Sequence, residues 1–409
     1  MNHRAGPLQA LGAAALALLV FYPVLATVGP ASDYVIHVGE ARHFVEHGTT
    51  QRPVLPLFFL LTVLGHAAVP GLDYVDLGIG IALAAHALLA VVLAAWLRRA
   101  LAPAGSGRRG ALASVLGALS LMLVMPVNLF TLPQRNLYFG YVSPTAYHNP
   151  SVALLKPFVP LLFGLALASL RPARLLAPWR RVATAAALSI LAALAKPSYA
   201  IVLLPALALA SLARVGRGQA IDARLQLLGL VLPAGLVVAG LYAYAFSSAQ
   251  VTSPGGGSAG VAIAPLLVMR TLSPTGLAGK LLLSIAFPAC VYLAWFGRAR
   301  RSLALNFAWL GFGVGALEGY LLAETGPRLR DGNFLWSGQV ALFALFAASA
   351  AFLLRRLAEG LRTGGPRMDL RTGLCASVYG LHTASGLVWY AVHVLPLLDP
   401  SAPLLKEWF

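Results

Sequence analysis

Long runs of apolar residues recur along almost the whole chain, and short polar segments separate them. The runs are about 17 to 23 residues long, which is the length that an α-helix needs to cross a hydrocarbon core about 30 Å thick. They are continuous and do not alternate in polarity, so they favour helices over the strands of a membrane barrel. The pattern therefore predicts an all-α, polytopic membrane protein.

The composition supports this fold class. Of 409 residues, 59% are hydrophobic and only 11% are charged, and the mean hydropathy is +0.79. Soluble globular domains have roughly 25% charged residues. No internal repeat or polar domain interrupts the pattern, so we expect residues 1–409 to form a single transmembrane domain with no separate soluble domain.

The apolar runs predict eleven crossings when Arg4 is placed on the cytoplasmic side. The run Pro53–Val69 is not one of them, because a crossing there would invert every later loop; we expect it to be re-entrant or to lie in the outer leaflet, within a first outer loop of about 29–75. The eleven crossings are 8–28, 76–97, 111–127, 152–170, 182–195, 198–213, 225–247, 277–296, 303–323, 335–354 and 373–395.

The charges provide a check on this topology. A net charge of +17 in a soluble protein would suggest a nucleic-acid partner, but here the basic residues lie in short loops between apolar runs. Twenty of the 30 basic residues fall on the predicted cytoplasmic side, with only Asp222, Glu359 and Asp369 of the 13 acidic ones. This bias follows the positive-inside rule, so we expect a bacterial inner (cytoplasmic) membrane protein with a cytoplasmic N-terminus and no nucleic-acid partner.

Two further features bear on processing and redox chemistry. The first apolar run, Leu8–Val28, is longer than the apolar part of a signal peptide, so we expect a retained first crossing. Cys290 and Cys375 both lie inside apolar runs and form no CxxC pattern. The sequence therefore predicts neither a disulfide framework nor a cysteine metal site.

A stretch dense in polar groups, Ser32 to His47, follows the first run directly. On a helix, Asp33, His37, Glu40 and His47 share one face, and Val35, Val38 and Val45 occupy another. Such a helix would lie at the membrane interface with its apolar side in lipid. A solvated connector and a chemical site both fit the pattern.

A metal site is a third interpretation of this stretch. His37, Glu40, His43 and His47 are possible ligands, but their spacing matches no strong zinc motif. We therefore predict no metal and no other cofactor.

Three other polar groups lie on the predicted outer side. Tyr147, His148 and Asn149 precede Pro150 in the second outer loop, where they suit either sugar binding or an interfacial belt; Asn149 is also a candidate N-cap. Lys196 lies between two apolar arms, where a lysine costs about 2.5 to 3.5 kcal/mol if it is central in lipid. It either snorkels to the surface or contacts a lipid phosphate.

The third group is a late outer loop that concentrates charged and amide side chains beside Trp336. Arginine guanidinium groups match phosphate oxygens geometrically, although a solvated turn with internal ion pairs fits equally well. Its candidate residues are Arg328, Arg330, Asp331 and Asn333.

Three short motifs together resemble those of integral-membrane glycosyltransferases of the GT-C fold, in particular the bacterial polyprenyl-phosphate-sugar dependent type. They are Asp33-Tyr-Val-Ile-His37 with Glu40, Tyr147-His-Asn-Pro-Ser151 with Lys156-Pro157, and Ala195-Lys-Pro-Ser-Tyr199. Asp33 occupies the position of the acidic residue that opens the first outer loop in that family. The large soluble C-terminal domain of some relatives has no counterpart here, which disfavours oligosaccharyl transfer to protein.

The resemblance implies a polyprenyl-phosphate-linked sugar donor, a glycan or lipid acceptor, and transfer on the outer face of the membrane with inversion. Asp33, with Glu40 as the rival, would be the catalytic base. Lys196, Arg328 and Arg330 would bind the donor phosphate. His37, Tyr147, His148, Asn149, Asp331 and Asn333 would bind the sugar or the acceptor. The alternative function is a transporter or flippase of a lipid-linked glycan, and a non-catalytic membrane assembly factor is a third.

Overall fold

The computed structural model describes residues 6–51, 54–102, 107–129, 138–171, 176–247, 260–326, 329, 332–362 and 369–398. Within these ranges the chain is almost entirely helical. The helices are α1 (Pro7–Val28), α2 (Asp33–His47), α3 (Pro56–Ala68), α4 (Tyr74–Leu101), α5 (Arg108–Leu123), α6 (Pro150–Leu155), α7 (Phe158–Ser169), α8 (Trp179–Ala195), α9 (Ser198–Val215), α10 (Leu232–Ser247), α11 (Leu267–Leu272), α12 (Leu277–Ala294), α13 (Phe296–Ala299), α14 (Leu303–Leu321), α15 (Leu335–Arg362) and α16 (Leu370–Leu398).

Two short helical segments of other types and one pair of strands complete the described part of the fold. A 3-10 turn, Gly29–Ala31, joins α1 to α2, and a π-helical segment, Leu225–Val231, leads into α10. Strands β1 (Val261–Ile263) and β2 (Leu322–Glu324) pair antiparallel, with Ala262 opposite Ala323. The prediction of an all-α protein is confirmed for the described residues.

Six helical segments within the described ranges are long and apolar enough to cross a membrane, which makes the chain a multi-pass membrane protein. They lie at Pro7–Ala31, Tyr74–Leu101, Ser198–Val215, Leu225–Ala245, Leu277–Ala294 and Leu335–Gly360. In the last of these, 78% of the most apolar stretch is buried in the protein, against 50% or less in the other five. Helix α15 is therefore the central helix of the bundle.

The remaining predicted crossings also coincide with helices, but these are shorter or less apolar. Helices α5 and α8 have 16 and 17 residues. The predicted crossing 152–170 is divided at Lys156-Pro157 into the six residues of α6 and the twelve of α7. Helix α3, in the run that was predicted not to cross, has 13 residues, which is about 20 Å at 1.5 Å per residue.

Helix α2 coincides with the predicted amphipathic helix and packs closely against α4. A Cβ atom on Gly78 of α4 would lie 2.8 Å from the side chain of Val38, so the glycine allows the two helices to approach. Tyr34 is buried beside Phe58 of α3, with a ring-centroid distance of 6.5 Å. These contacts turn Asp33, His37 and Glu40 toward the protein.

The predicted apolar face of α2 needs one correction. Val38 was expected on the lipid side with Val35 and Val45, but it is buried against α4, whereas Val35 and Val45 are exposed. The reason is that α2 is covered by α4 on its Val38 side. His47, predicted on the polar face that turns toward the protein or the water, is exposed at the end of α2.

The chain before α6 is held between α12 and α16. From α12, the Lys280 ammonium donates to the carbonyl of Phe139 (2.9 Å) and the Ser284 hydroxyl accepts from the backbone N–H of Val142 (3.1 Å). From α16, Ser385 forms a 2.7 Å hydrogen bond with the Tyr138 hydroxyl. We call residues 138–149 the clamped segment. Its end carries His148 and Asn149.

Candidate functional site

The candidate site begins at the first residue of α2. The Oδ2 atom of Asp33 accepts a 2.7 Å hydrogen bond from Nδ2 of Asn149, which lies 116 positions further along the chain. Asp33 is in the first turn of α2, where unpaired backbone N–H groups and the helix dipole favour a negative charge. No described residue forms a hydrogen bond with its other oxygen, Oδ1.

Asn149 has its orientation fixed by α6. Its Oδ1 atom accepts from the backbone N–H of Val152 (3.1 Å) and from the hydroxyl of Ser151 (2.6 Å). The prediction that Asn149 caps this helix is confirmed. Because the carbonyl end of the amide is used for the cap, the NH₂ end points away from α6 and toward Asp33.

Lys196 reaches the same place from the link between α8 and α9. Its ammonium lies 3.4 Å from the hydroxyl of Ser151 and 5.0 Å from the ring centroid of Trp336 on α15. The side chain is buried. Contact with an aromatic face offsets part of the cost of removing an ammonium from water, and the lysine does not snorkel to the surface.

The charges of Asp33 and Lys196 act on two nearby histidines. Burial lowers the pKa of His37 to about 4, the nearby Lys196 charge adds to the effect, and the Asp33 charge opposes it. Burial also lowers the pKa of His148, with Asp33 opposing and Lys196 adding. Both imidazoles are therefore neutral near pH 7 and act as hydrogen-bonding groups, not as cations.

We call Asp33, His37, His148, Asn149 and Lys196 the polar cluster. All five were predicted as site residues from the sequence, and the fold brings them together from α2, the clamped segment and the α8–α9 link. Two further members were not predicted. They are Ser151, which joins Asn149 to Lys196, and Trp336, which contacts Lys196 and lies 5.5 Å from His148 between ring centroids.

A cavity of about 220 Å³ opens beside the polar cluster. His148 and Trp336 line it together with Tyr138 and Gln339, and most of its remaining wall is apolar. Its volume is below the roughly 300 to 1,000 Å³ of typical small-molecule sites, so it has room for one compact group.

The rival base, Glu40, lies in a different environment. Its carboxylate accepts a 2.7 Å hydrogen bond from the backbone N–H of Gln51, and the residue is buried. This contact holds the chain that follows α2. Tyr147 is also buried, and its ring packs against Phe21 and His393 at centroid distances of 6.1 and 5.5 Å.

The late outer loop is described only in part. Arg328, Arg330 and Asp331 lie outside the described residues. Asn333 donates a 2.6 Å hydrogen bond from Nδ2 to Oε2 of Glu324 on β2. The predictions for the two arginines and Asp331 therefore stay predictions.

Within the described ranges, no group of three or more His, Cys, Asp or Glu residues is placed to hold a metal ion. His43 and His47, two of the possible ligands, stack on each other with ring centroids 4.3 Å apart. His47 is exposed, and His43 is half-buried.

The signals that could have identified Ser151 and Trp336 are weak. Ser151 is the last residue of a short motif and Trp336 begins an apolar run, where a tryptophan is common in membrane proteins. Only the fold, which brings the start of α15 next to the α8–α9 link, shows that they contact the cluster. Comparisons with known protein families, with curated proteins and with solved structures give no match to this chain.

Proposed function

We propose that the chain is a membrane glycosyltransferase that moves a sugar from a polyprenyl-phosphate donor to an acceptor hydroxyl. The observation that carries the proposal is that a half-buried carboxylate, Asp33, and a buried ammonium, Lys196, lie in one cluster, linked through Asn149 and Ser151. A transfer of this kind needs both groups. One takes a proton from the attacking hydroxyl, and the other neutralises the leaving phosphate.

Asp33 is the proposed base. The acceptor oxygen attacks the anomeric carbon while Asp33 Oδ1 takes the hydroxyl proton, and the bond from the anomeric carbon to the phosphate oxygen breaks. Asn149 holds Oδ2 through its 2.7 Å hydrogen bond, so Oδ1 is the oxygen directed at the acceptor. A single displacement of this kind inverts the anomeric centre.

Lys196 is proposed to bind the leaving polyprenyl phosphate, with Arg328 and Arg330 as further candidates. Burial of the ammonium strengthens its attraction for an anion, because the local dielectric is low. His37 and His148, neutral near pH 7, are suited to hydrogen-bond sugar hydroxyls. No metal is included, since a lysine can neutralise a monophosphate.

The topology that accompanies this function is also a proposal. The eleven predicted crossings overlap helices, one of them the pair α6 and α7, and the positive-inside bias of the sequence favours the outer face of a bacterial inner membrane for the polar cluster. Nucleotide sugars are absent there, which favours a lipid-linked donor and a role in cell-envelope glycan synthesis.

The test is a transfer assay with purified protein in detergent. A radiolabelled polyprenyl-phosphate hexose or pentose is supplied with a mixture of glycan and glycolipid acceptors. Appearance of labelled acceptor together with unlabelled polyprenyl phosphate supports the proposal. If the donor is never consumed, and the same protein reconstituted in vesicles moves it across the membrane, the function is transport.

A further inference from the structure

The two cysteines of the chain lie together although 85 positions separate them. The Sγ atoms of Cys290 on α12 and Cys375 on α16 are 3.3 Å apart, and both are free thiols. A disulfide bond is about 2.05 Å long, so a small side-chain rotation brings the sulfurs to bonding distance. Cys375 is buried and Cys290 is partly exposed.

The helices that carry these thiols are the two that hold the clamped segment. Lys280 and Ser284 of α12 bond to one part of this segment, and Ser385 of α16 bonds to its start. Phe287 of α12 and Tyr379 of α16 meet edge to face between the clamped segment and the thiols, with ring centroids 4.8 Å apart. A covalent bond between the cysteines would join the two sides of the clamp.

We propose that Cys290 and Cys375 form a redox-active pair that switches between a dithiol and a disulfide. The reaction partner is a small, apolar disulfide that reaches the partly exposed Cys290. The Cys290 thiolate attacks one sulfur of this partner and releases its other half as a thiol. The Cys375 thiolate then attacks Cys290 Sγ, and the second half leaves as a thiol.

The exchange balances without another reactant. The protein pair loses two electrons and two protons, and the partner disulfide gains them as it becomes two thiols. The disulfide form restricts the movement of α12 against α16. This inference does not depend on the proposed transfer reaction.

The test uses dipyridyl disulfide on the folded, full-length protein in detergent. Wild-type protein is expected to release two pyridinethiones per chain, to retain no pyridyl group by intact mass, and to take up no maleimide after denaturation. The Cys375→Ser variant is the matched control. It is expected to release one pyridinethione and to keep one pyridyl group, because its mixed disulfide cannot be resolved.

Two further measurements separate proximity in the fold from chance pairing. Closure of the wild-type disulfide should be at least about 10-fold faster in folded protein than in SDS-unfolded protein, because the fold raises the effective concentration of the second thiol. The midpoint of thermal unfolding should rise by about 5 °C on oxidation and return on reduction, and neither cysteine variant should show this change.

Three results would overturn the proposal. One is a stable pyridyl adduct on wild-type protein, and another is equal closure rates in the folded and unfolded chains. The third is an unchanged thermal midpoint after complete oxidation, which would mean that the bond does not restrain α12 against α16.

Discussion

The start and the middle of α2 each carry a carboxylate, and the two lie in different surroundings. At its start, Asp33 accepts a hydrogen bond from Asn149, and its charge, like that of Lys196, acts on His37 and His148. Further along, Glu40 accepts a hydrogen bond from the backbone of Gln51, only eleven positions away. Both carboxylates face the protein, with Asp33 half-buried and Glu40 buried.

The two carboxylates differ in how far along the chain their hydrogen-bond partners lie. A carboxylate that bonds to nearby backbone stabilises a local turn, whereas one that meets side chains from distant helices belongs to a site that only the complete fold assembles. The comparison therefore assigns chemistry to Asp33 and a structural contact to Glu40. The predictions below test this assignment, beginning with the largest expected effect.

Asp33→Asn should lower the transfer rate by about 10² to 10⁴-fold, because it removes the proposed base. The fold should be kept, since the new amide oxygen can still accept from Asn149. Initial rates with the labelled donor measure the effect, and size-exclusion profiles check the fold. Glu46→Gln is the matched control, since Glu46 is an exposed acid on the same helix that pairs with Arg42. Full activity of Asp33→Asn would contradict the assignment.

Lys196→Met should lower kcat/KM for the donor by about 10²-fold, the usual effect of losing one group that stabilises developing charge. Most of the loss should be in kcat if Lys196 acts on the leaving phosphate, and in KM if it only binds the donor. Lys196→Arg keeps the charge and should recover part of the activity. Equal activity of the Met and Arg variants would show that the charge is not used.

Asn149 should affect stability and activity separately. Asn149→Ala loses the helix cap, which should cost about 1 kcal/mol of unfolding free energy, and it also frees Asp33. Asn149→Asp keeps a capping oxygen but places a second carboxylate against Asp33, so it should be more stable than the Ala variant and still reduced in transfer. Thermal midpoints and initial rates of the two variants distinguish the roles. Loss of stability without loss of transfer in both would make Asn149 purely structural.

Stability should fall as the pH drops from about 6.5 toward 4. His37 has a folded-state pKa of about 4, below its unfolded value of 6.5, so the unfolded chain binds more protons in this window. Thermal midpoints measured from pH 7.5 to 4.5 should show the decline, and His37→Gln should make it shallower. An unchanged slope in this variant would show that His37 is not held neutral by its surroundings.

Glu40→Gln should have the smallest effect, with transfer within about 3-fold of wild type, because a side-chain oxygen remains to accept from Gln51. The opposite ranking, with Glu40→Gln inactive and Asp33→Asn active, would exchange the roles of the two carboxylates.

Much of the fold followed from patterns that are local in sequence. The apolar runs predicted the positions of the helices, and the polar stretch after α1 predicted α2 with its start at Asp33. The approach of α2 to α4 at Gly78 was not predictable, because it depends on a glycine whose partner lies 40 positions earlier in the chain. Val38 was misassigned to lipid for this reason.

The site was predictable in its members but not in its geometry. Expensive polar residues in an apolar chain are few, which is why Asp33, His148 and Lys196 could be selected. Which of them meet depends on helix packing, and no local pattern reports it. The contact between Cys290 and Cys375 was not predicted for the same reason, since each cysteine alone is an ordinary residue of an apolar helix.

The position of Asn149 before Pro150 also bears on the chemical ageing of the protein. Asparagine usually deamidates when the backbone nitrogen of the next residue attacks the side-chain carbonyl carbon and forms a cyclic imide. Proline has no N–H and cannot close that ring. The amide beside Asp33 is thereby protected against slow conversion to an acid, which would otherwise place two negative charges 2.7 Å apart in an old molecule.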